Sequence, residues 1–431
     1  MTRLLRQVWV GLGLVVGAFV LSWVVFMPSS DMRGIWRAEN GGTILSLGSL
    51  RGRLFSETPV SCVRDVAFPA HLKMVELSQG TRFAMDGRYL VMDVDGVATP
   101  TRYTRLPALP DTCTTPDPDA PPEQVFAAFR SAIDAFYPDI ERHGIDWAAR
   151  RNPPPGTGPA MTDADLFDLL SRTLEGVADP NLFVLTDLGA ISPAGPTATA
   201  PATEDGAVQT VRDIIGTPLQ PVDLTGLEYA IRPDGVGYVL VRTLGFNRPL
   251  GARTEQALAA TFDPVAADLA QARAILIDLR FALGGTEDAA LAIASHFAVE
   301  PRPLFRTAPP GAGTGAEVIL RPRGATSLGQ PVLVLTGART RGAAEVLALA
   351  LHDLPQVTTL GQPTAGSLTG RLGVLLPNGW RLVLPYPPYV DPDGRPLTGR
   401  QIAPDVDGPD PADTPGDDPL LRAALIRASG G

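Results

Sequence analysis

Two glycine-containing strings of this 431-residue chain have the form of a strand that runs into a helix through a tight turn. One is LTGARTRGAAEVLALAL, with Gly342 at the join, and the other is AILIDLRFALGG, which ends on Gly285. A helix that begins at such a join presents backbone N–H groups that suit a carbonyl or a carboxylate. We therefore predict a set of backbone donors at Gly284, Gly285 and Ala343 that could bind an oxyanion or a peptide.

Side chains with a recognisable catalytic spacing are sparse. Ser367 in TAGS and Ser171 in LLSRTL could act as nucleophiles only with a base beside them, and the sequence identifies none. The four histidines are scattered, and they and the two cysteines do not have the spacing of a metal site. We expect no metal and no cofactor.

Strands and helices alternate in the second half of the chain. Apolar strands such as AILIDLR and PVLVLTG are followed by helical stretches such as TEDAALAIASHF and AAEVLALALHDL. This alternation favours a mainly parallel α/β sheet, which we place at residues 223–410. We predict a low-complexity loop at 186–222, where ISPAGPTATAPATEDGA is rich in small residues, and a tail at 411–431.

The first half of the chain has a different pattern. Residues 31–106 contain short β-like runs, and the Asp-Gly pairs within them are strong hairpin signals, so we predict a small all-β domain. A proline-rich linker at 107–122 follows. The stretch 123–185 has apolar residues at helical spacing and is predicted to be a helical subdomain.

The two cysteines, Cys62 and Cys113, lie in the N-terminal third of the chain. An oxidising compartment would allow them to pair as a disulfide. Such a bridge would tie the linker back onto the β domain.

The N-terminal segment 1–28 indicates the compartment. The run 8–27 carries no charge and is long enough to span a bilayer, and Arg3 and Arg6 precede it. We predict a single-pass signal-anchor in the inner membrane with the bulk of the chain periplasmic; a long cleaved signal peptide is the alternative. The formal net charge of -10, with no basic block after the first residues, argues against a nucleic-acid partner.

Seven strings in order resemble the tail-specific protease, or C-terminal processing protease, family, and its tricorn-core-like branch in particular. They are YPDIERHGIDWAARR, LLSRTLEGVADPNLFVL, YVLVRTLGF, AILIDLRFALGG, LTGARTRGAAE, LGQPTAGSL and DGRPLTGRQIAPDV, and they cover roughly residues 122–408. The resemblance implies a crotonase-like α/β core preceded by a helical subdomain. It also implies serine peptidase chemistry, which needs a nucleophile, a base, a supporting carboxylate and oxyanion donors.

At each side-chain position of that machinery the chain departs from the family pattern. Gly342 stands at the position of the nucleophilic serine in Thr-x-Ser-Ala-x-Glu, and Asn181 stands at the position of the histidine base in Leu-x-Asp-Gly-His. Thr398 stands at the position of the glutamate in Glu-Gly-x-Gly-Ile-x-Pro-Asp. Ala282 replaces the asparagine of Asp-Leu-Arg-x-Asn-x-Gly-Gly. No lysine follows Gly342, so the Ser–Lys dyad of the processing-protease branch is absent as well.

Three hypotheses follow from these departures. The first is a membrane-anchored, catalytically degenerate protein that binds peptide or protein segments or regulates a partner. The second is an active serine peptidase that uses other residues, such as Ser367 or Ser171. The third is a different enzyme built on a crotonase-like core. TRGAAE taken alone is also typical of an ordinary turn between a strand and a helix, and the sequence does not indicate an oligomeric state.

Overall fold

The structure, a computed structural model, describes residues 21–23, 25–152, 158, 160–193, 201–222, 226–245, 255–309, 315–324 and 327–430. Within this part of the chain the strands form three sheets. Of the predicted signal-anchor segment 1–28, with its apolar run 8–27, residues 1–20 and 24 lie outside the described residues. Among the residues that are described, no helix has the length and apolar character needed to cross a membrane.

The first sheet forms the β domain, which we define as residues 34–114. Its strand order is β5-β6-β7-β1-β2-β3-β4-β8. The turn at Gly87, with φ of 60°, joins two strands at one of the Asp-Gly signals. Its elements are β1 Gly34–Ala38, β2 Thr43–Leu47, β3 Arg51–Glu57, β4 Cys62–Pro69, helix α1 Leu72–Gln79, β5 Thr81–Asp86, β6 Tyr89–Val94, β7 Thr101–Leu106 and β8 Cys113–Thr114.

The disulfide predicted from the sequence is confirmed: Cys62 and Cys113 are bonded, with 4.3 Å between their Cα atoms. Strand β8 pairs with β4 at these two residues. The stretch 107–122, predicted as a linker, therefore contains a strand, because the disulfide holds its backbone against the sheet edge.

A helical region follows the β domain. Its helices are α2 Pro122–Phe136, a 3-10 helix Pro138–His143, α3 Trp147–Arg150 and α4 Asp163–Leu174. Thr162 accepts the Asp165 N–H and donates its own N–H to that carboxylate, which fixes the start of α4. The apolar faces of α2 and α4 share one buried cluster, which includes Phe129 and Leu170.

The central sheet has the order β11-β12-β13-β14-β17-β18-β21 and is parallel from β13 onward. Alternate residues of β14 face opposite layers: Ile275 and Ile277 pack in one cluster, and Ala274 and Leu276 in the other. Helices cover both faces, as parallel sheets require. Its elements are helix α5 Pro201–Ile215, β11 Gln220–Pro221, β12 Gly226–Ile231, β13 Val236–Thr243, α6 Glu255–Leu269, β14 Ala274–Asp278, α7 Glu287–Ala294, β17 Val332–Thr336, α8 Ala343–His352, β18 Val357–Gly361, β21 Val406–Asp407 and α9 Pro419–Ala428.

A third sheet links the helical region to the central sheet. Its order is β10-β9-β20-β15-β16, and β19 pairs with β20 outside that path. Its strands are β9 Phe183–Thr186, β10 Gly189–Ile191, β15 Arg302–Thr307, β16 Glu317–Leu320, β19 Thr369–Leu375 and β20 Arg381–Val390.

Two segments contain helices where the sequence predicted none. The predicted loop at 186–222 contains α5, whose Val208, Val211 and Ile215 lie on one helical face and are buried. The predicted tail at 411–431 contains α9, and Asp418 caps this helix through the Leu421 N–H. In both cases the packing of a few apolar side chains on the sheet stabilises a helix that the surrounding polar or small residues do not favour.

Candidate functional site

A cavity of about 400 Å³ lies between the β domain and the α/β core. Its core wall includes the turn after β14, the start of α8, and strand β19 with the residues before it. Its opposite wall comes from the β domain, with residues such as Asn40, Thr43 and Val97. A cavity of this size can hold a few residues of a bound chain.

Gly342 lies in the core wall, directly before α8, with φ of 57° and ψ of −124°. A nucleophilic serine at a strand-to-helix elbow occupies a strained turn of this kind. Thr340 fixes the turn, because its Oγ1 donates to the Leu279 carbonyl at 2.8 Å and accepts the Gly337 N–H at 3.1 Å. A Cβ atom on Gly342 would lie 3.8 Å from Gly284 Cα, which is the nearest atom apart from those of the two adjacent residues, so the position has room for a side chain.

The three predicted backbone donors border the same cavity: Gly284, Gly285 and Ala343 all line it. Within the described part of the chain, the N–H groups of Gly285 and Ala343 make no backbone hydrogen bond. Gly285 admits no side chain, because a Cβ there would lie 2.5 Å from the Leu244 carbonyl carbon. Its main chain therefore closely approaches Leu244, the residue after β13, while its N–H group remains available to a ligand.

Glu345, in the first turn of α8, is the fully buried carboxylate of the site. Its Oε1 accepts hydrogen bonds from Thr364 Oγ1 at 2.7 Å and the Gly366 N–H at 2.7 Å. Its Oε2 accepts from the Gly342 N–H at 3.1 Å, the Ser367 N–H at 2.8 Å and Ser367 Oγ at 2.5 Å. Burial raises the pKa of this carboxyl, and the hydrogen bonds from Ser367 and Thr364 act in the opposite direction.

Asn181 is also buried and lines the cavity. Its Nδ2 donates to the Ser367 carbonyl at 3.2 Å, and its own N–H donates to Asp179 Oδ1 at 2.8 Å. Its Oδ1 accepts from Arg371 Nε at 3.2 Å. An amide at this position joins the loop before β9 to strand β19, and it lacks the basicity of an imidazole.

Thr398 lies beside the site but does not line the cavity. Its Oγ1 donates to the Leu368 carbonyl at 3.3 Å, and its carbonyl accepts from Arg142 at 3.0 Å. Ser171 lies on α4, where its hydroxyl donates to the Phe167 carbonyl at 2.8 Å, and it does not line the cavity either.

A set of contacts that we call the latch holds the β domain against α7. The Gly96 N–H donates to Asp288 Oδ2 at 2.8 Å, and the Glu287 N–H donates to the Gly96 carbonyl at 3.0 Å. Glu287 Oε2 accepts the Ala98 N–H at 2.9 Å, and its Oε1 accepts from Tyr389 at 2.7 Å. Because Glu287 follows Gly285 by two residues, the latch ties the β domain to the donor loop.

The structure thus brings Gly342, Asn181 and the backbone donors to one cavity and leaves Thr398 at its margin. Sequence reasoning did not identify Glu345, although it is the last residue of the TRGAAE string. Arg371 carried no sequence signal, because its place in the site depends on the pairing of β19 with β20.

Comparison with known proteins is consistent with this geometry. Residues 235–407 match the sequence profile of the family described as Peptidase family S41. No curated protein matches the chain significantly.

Two solved structures illustrate the likeness. A Parabacteroides merdae protein that is named provisionally as a peptidase is similar with a TM-score of 0.59 and 23% identity, over 72% of this chain and 97% of that one. The photosystem II D1 C-terminal processing protease is similar with a TM-score of 0.46 and 19% identity, also over 72% of this chain and 97% of that one. The first of these shows a common fold, and residues 235–407 carry the sequence match to a peptidase family S41 domain.

Proposed function

We propose that the protein binds a segment of peptide or unfolded protein in the cavity and does not cleave it. The observation that carries this proposal is Gly342, which holds an elbow backbone facing the cavity and has no nucleophile. Asn181 supplies no proton acceptor comparable to histidine. The surrounding scaffold retains binding groups, namely the N–H groups of Gly285 and Ala343.

The cavity walls support a peptide as the ligand, because a peptide offers both carbonyl and N–H groups. The core wall presents N–H donors. The β-domain wall presents Asn40 Oδ1, a buried acceptor with no donor among the described residues. Strand β19, which among the described strands pairs with β20 alone, also forms part of the wall. An extended segment could add along such an edge.

The alternative is an active serine peptidase that uses Ser367, which lies in the cavity with a carboxylate 2.5 Å from its Oγ. The position of that hydroxyl argues against this use. Ser367 is buried, and its oxygen accepts the Gly342 N–H at 2.8 Å while the hydroxyl donates to Glu345, so a substrate carbonyl has little access to the remaining lone pair.

Fluorescein-labelled casein is a suitable probe for the binding function. We expect the anisotropy of the label to rise on addition of the full chain, with intact casein recovered afterwards. Val97→Trp should weaken binding, because this exposed residue lines the cavity, whereas Val66→Trp, at an exposed position outside the cavity, should not. Equal binding by both variants, or no binding by the wild type, would contradict the proposal.

We further propose that the apolar run 8–27 anchors the protein in the inner membrane with the remainder in the periplasm. The support is the uncharged length of this run and the two arginines before it. Alkaline phosphatase fused to the C-terminus should be active in cells, because that enzyme needs an oxidising compartment. An inactive fusion would contradict this topology.

A further inference from the structure

Arg371 is an exposed residue of β19 whose side chain borders the cavity. The pairing of β19 with β20 shifts register between Thr369 and Arg371, around Gly370. A Cβ on Gly370 would lie 2.5 Å from Pro387 Cδ, so this irregularity requires glycine. Irregularities of this kind redirect the side chain that follows them.

One nitrogen of the Arg371 guanidinium is engaged, because Nε donates to Asn181 Oδ1 at 3.2 Å. Among the described residues, no carboxylate forms an ion pair with Arg371 and no other acceptor is bonded to it. Its two terminal nitrogens, which carry four N–H groups, therefore remain available to a ligand.

The charges around Arg371 favour an anion. Arg341 lies close enough that its pKa is lowered, chiefly by burial and further by the positive charges of Arg371 and Arg339. Glu287 also borders the cavity, but its carboxylate is already held by the Ala98 N–H and by Tyr389. The chain as a whole has a net charge of -10, so the positive charge gathered around Arg371 is opposite in sign to the charge of the protein.

We infer that Arg371 binds a carboxylate of the ligand through its terminal nitrogens, and that Asn181 positions it by holding Nε. The ligand class is therefore a peptide that carries a carboxylate, either on an acidic side chain or at its C-terminus. This inference rests on the proposed peptide-binding function. It also gives Asn181, at the position where the family resemblance places the base, a positioning role in recognition.

The planar guanidinium of arginine suits a carboxylate because two parallel hydrogen bonds can form, which the ammonium of lysine does not reproduce. Loss of such a charge-assisted pair at this site should weaken binding by about tenfold. The attraction should also fall as salt is added, because Arg371 is exposed.

Three fluorescein-labelled alanine-rich octapeptides test the inference against the full chain by fluorescence anisotropy. The first has a central Asp and an amidated C-terminus, the second has Asn in place of Asp and is also amidated, and the third has Asn and a free C-terminal carboxylate. The second peptide carries no carboxylate, and two peptides carry one. We expect the second to bind about tenfold more weakly than whichever of these two binds more tightly. Tighter binding by the first identifies a side-chain carboxylate as the natural group, and tighter binding by the third identifies the C-terminus.

Three variants and one control variant complete the test. Arg371→Gln should abolish the preference for the carboxylate peptide, and Arg371→Lys should retain only part of it. Asn181→Asp should also reduce the preference, because the new carboxylate would compete for Arg371. Arg422→Gln, which removes an exposed charge on α9, is the control and should change nothing.

The outcomes separate the inference from the proposed function. Equal binding of all three peptides, unchanged by Arg371→Gln, would overturn the role of Arg371 and leave peptide binding intact. Failure of every peptide to bind the wild type would overturn both. A melting temperature of Arg371→Gln within error of the wild type would show that its lost preference is not a folding defect.

Discussion

The backbone N–H of Gly342 donates a 2.8 Å hydrogen bond to the side-chain oxygen of Ser367. The same oxygen donates to Glu345 at 2.5 Å. The serine hydroxyl thus joins the turn before α8 to the loop before β19 and is occupied on both sides. This arrangement identifies Ser367 as a structural partner of the glycine elbow.

Removal of the carboxylate from this network should be strongly destabilising. Glu345→Ala would leave the donors of Gly342, Thr364, Gly366 and Ser367 without their acceptor in a buried site. We expect a loss of about 3 kcal/mol or more in the free energy of unfolding, and about 1–2 kcal/mol for Ser367→Ala.

Urea titration followed by circular dichroism measures both losses. Glu300→Ala, at an exposed position, is the control for removal of a glutamate side chain. A Glu345→Ala midpoint close to that of this control would show that the network contributes little.

The latch should make stability depend on pH through Glu287. Burial raises the pKa of this carboxyl above its ordinary value of 4.5, against the effect of hydrogen bonds from Tyr389 and Ala98. The folded state therefore binds the proton more tightly than the unfolded chain does. The resulting stability is fully present below pH 4.5 and is lost as the pH rises through the folded-state pKa.

Glu287→Gln mimics the protonated form and should remove this dependence. We expect the stability of the variant relative to the wild type to increase between about pH 4 and pH 7. Thermal melts across this range measure the difference, with Glu300→Gln as the control for loss of one charge. A difference that stays constant or decreases with pH would contradict the assignment.

Gly96 provides a separate test of the latch. It has φ of 90°, and a Cβ there would lie 2.6 Å from Thr286 Cγ2. Gly96→Ala should therefore combine backbone strain with a displaced loop. Gly87→Ala is a matched control, because Gly87 has φ of 60° and nothing within 4 Å of its Cβ position.

Limited proteolysis should show faster cleavage near residue 96 in Gly96→Ala than in Gly87→Ala. Both variants share the backbone strain of alanine at positive φ, which costs about 1 kcal/mol. Faster cleavage of Gly96→Ala than of Gly87→Ala therefore reports on the latch. Indistinguishable cleavage patterns would mean that the loop does not depend on this contact.

The disulfide should stabilise the β domain. It connects residues 51 positions apart, for which the chain-entropy model gives about 4 kcal/mol as an upper figure. Cys62→Ser, Cys113→Ser and the double variant should lose nearly the same stability, because each removes the same bond. The midpoint in guanidinium chloride measures this, and a double variant much less stable than either single variant would argue against one shared bond.

The sequence predicted the elements whose periodicity is strong. A parallel α/β core was expected and is present. It contains the apolar strands around Ile275 and Val334 and the glycine turn at Gly342. Helix α5 was missed because only Val208, Val211 and Ile215 carry its apolar face within a stretch of small and polar residues. Their burial depends on contacts with a sheet formed by residues distant in sequence.

The candidate site was predictable only in part. Gly342, Asn181 and Gly285 could be found from local strings, and the structure places them around one cavity. The β-domain wall of that cavity could not be predicted, because it depends on how Gly96 and Ala98 dock on α7. The role of Arg371 depends in the same way on strand pairing and on its contact with Asn181.

Hydrolysis by Gly342→Ser, compared with Gly342→Ala and the wild type, tests the proposed absence of peptidase activity most directly. Both substitutions introduce a Cβ with room to fit and carry similar backbone strain at φ of 57°, so they differ in the hydroxyl. We predict that none of the three proteins cleaves casein or reacts with a fluorophosphonate, because loss of the serine or the histidine of a catalytic triad typically costs about 10⁶ in kcat, and the position of the histidine here is Asn181. Casein cleavage by the wild type that a fluorophosphonate abolishes, or activity gained by Gly342→Ser alone, would contradict the account.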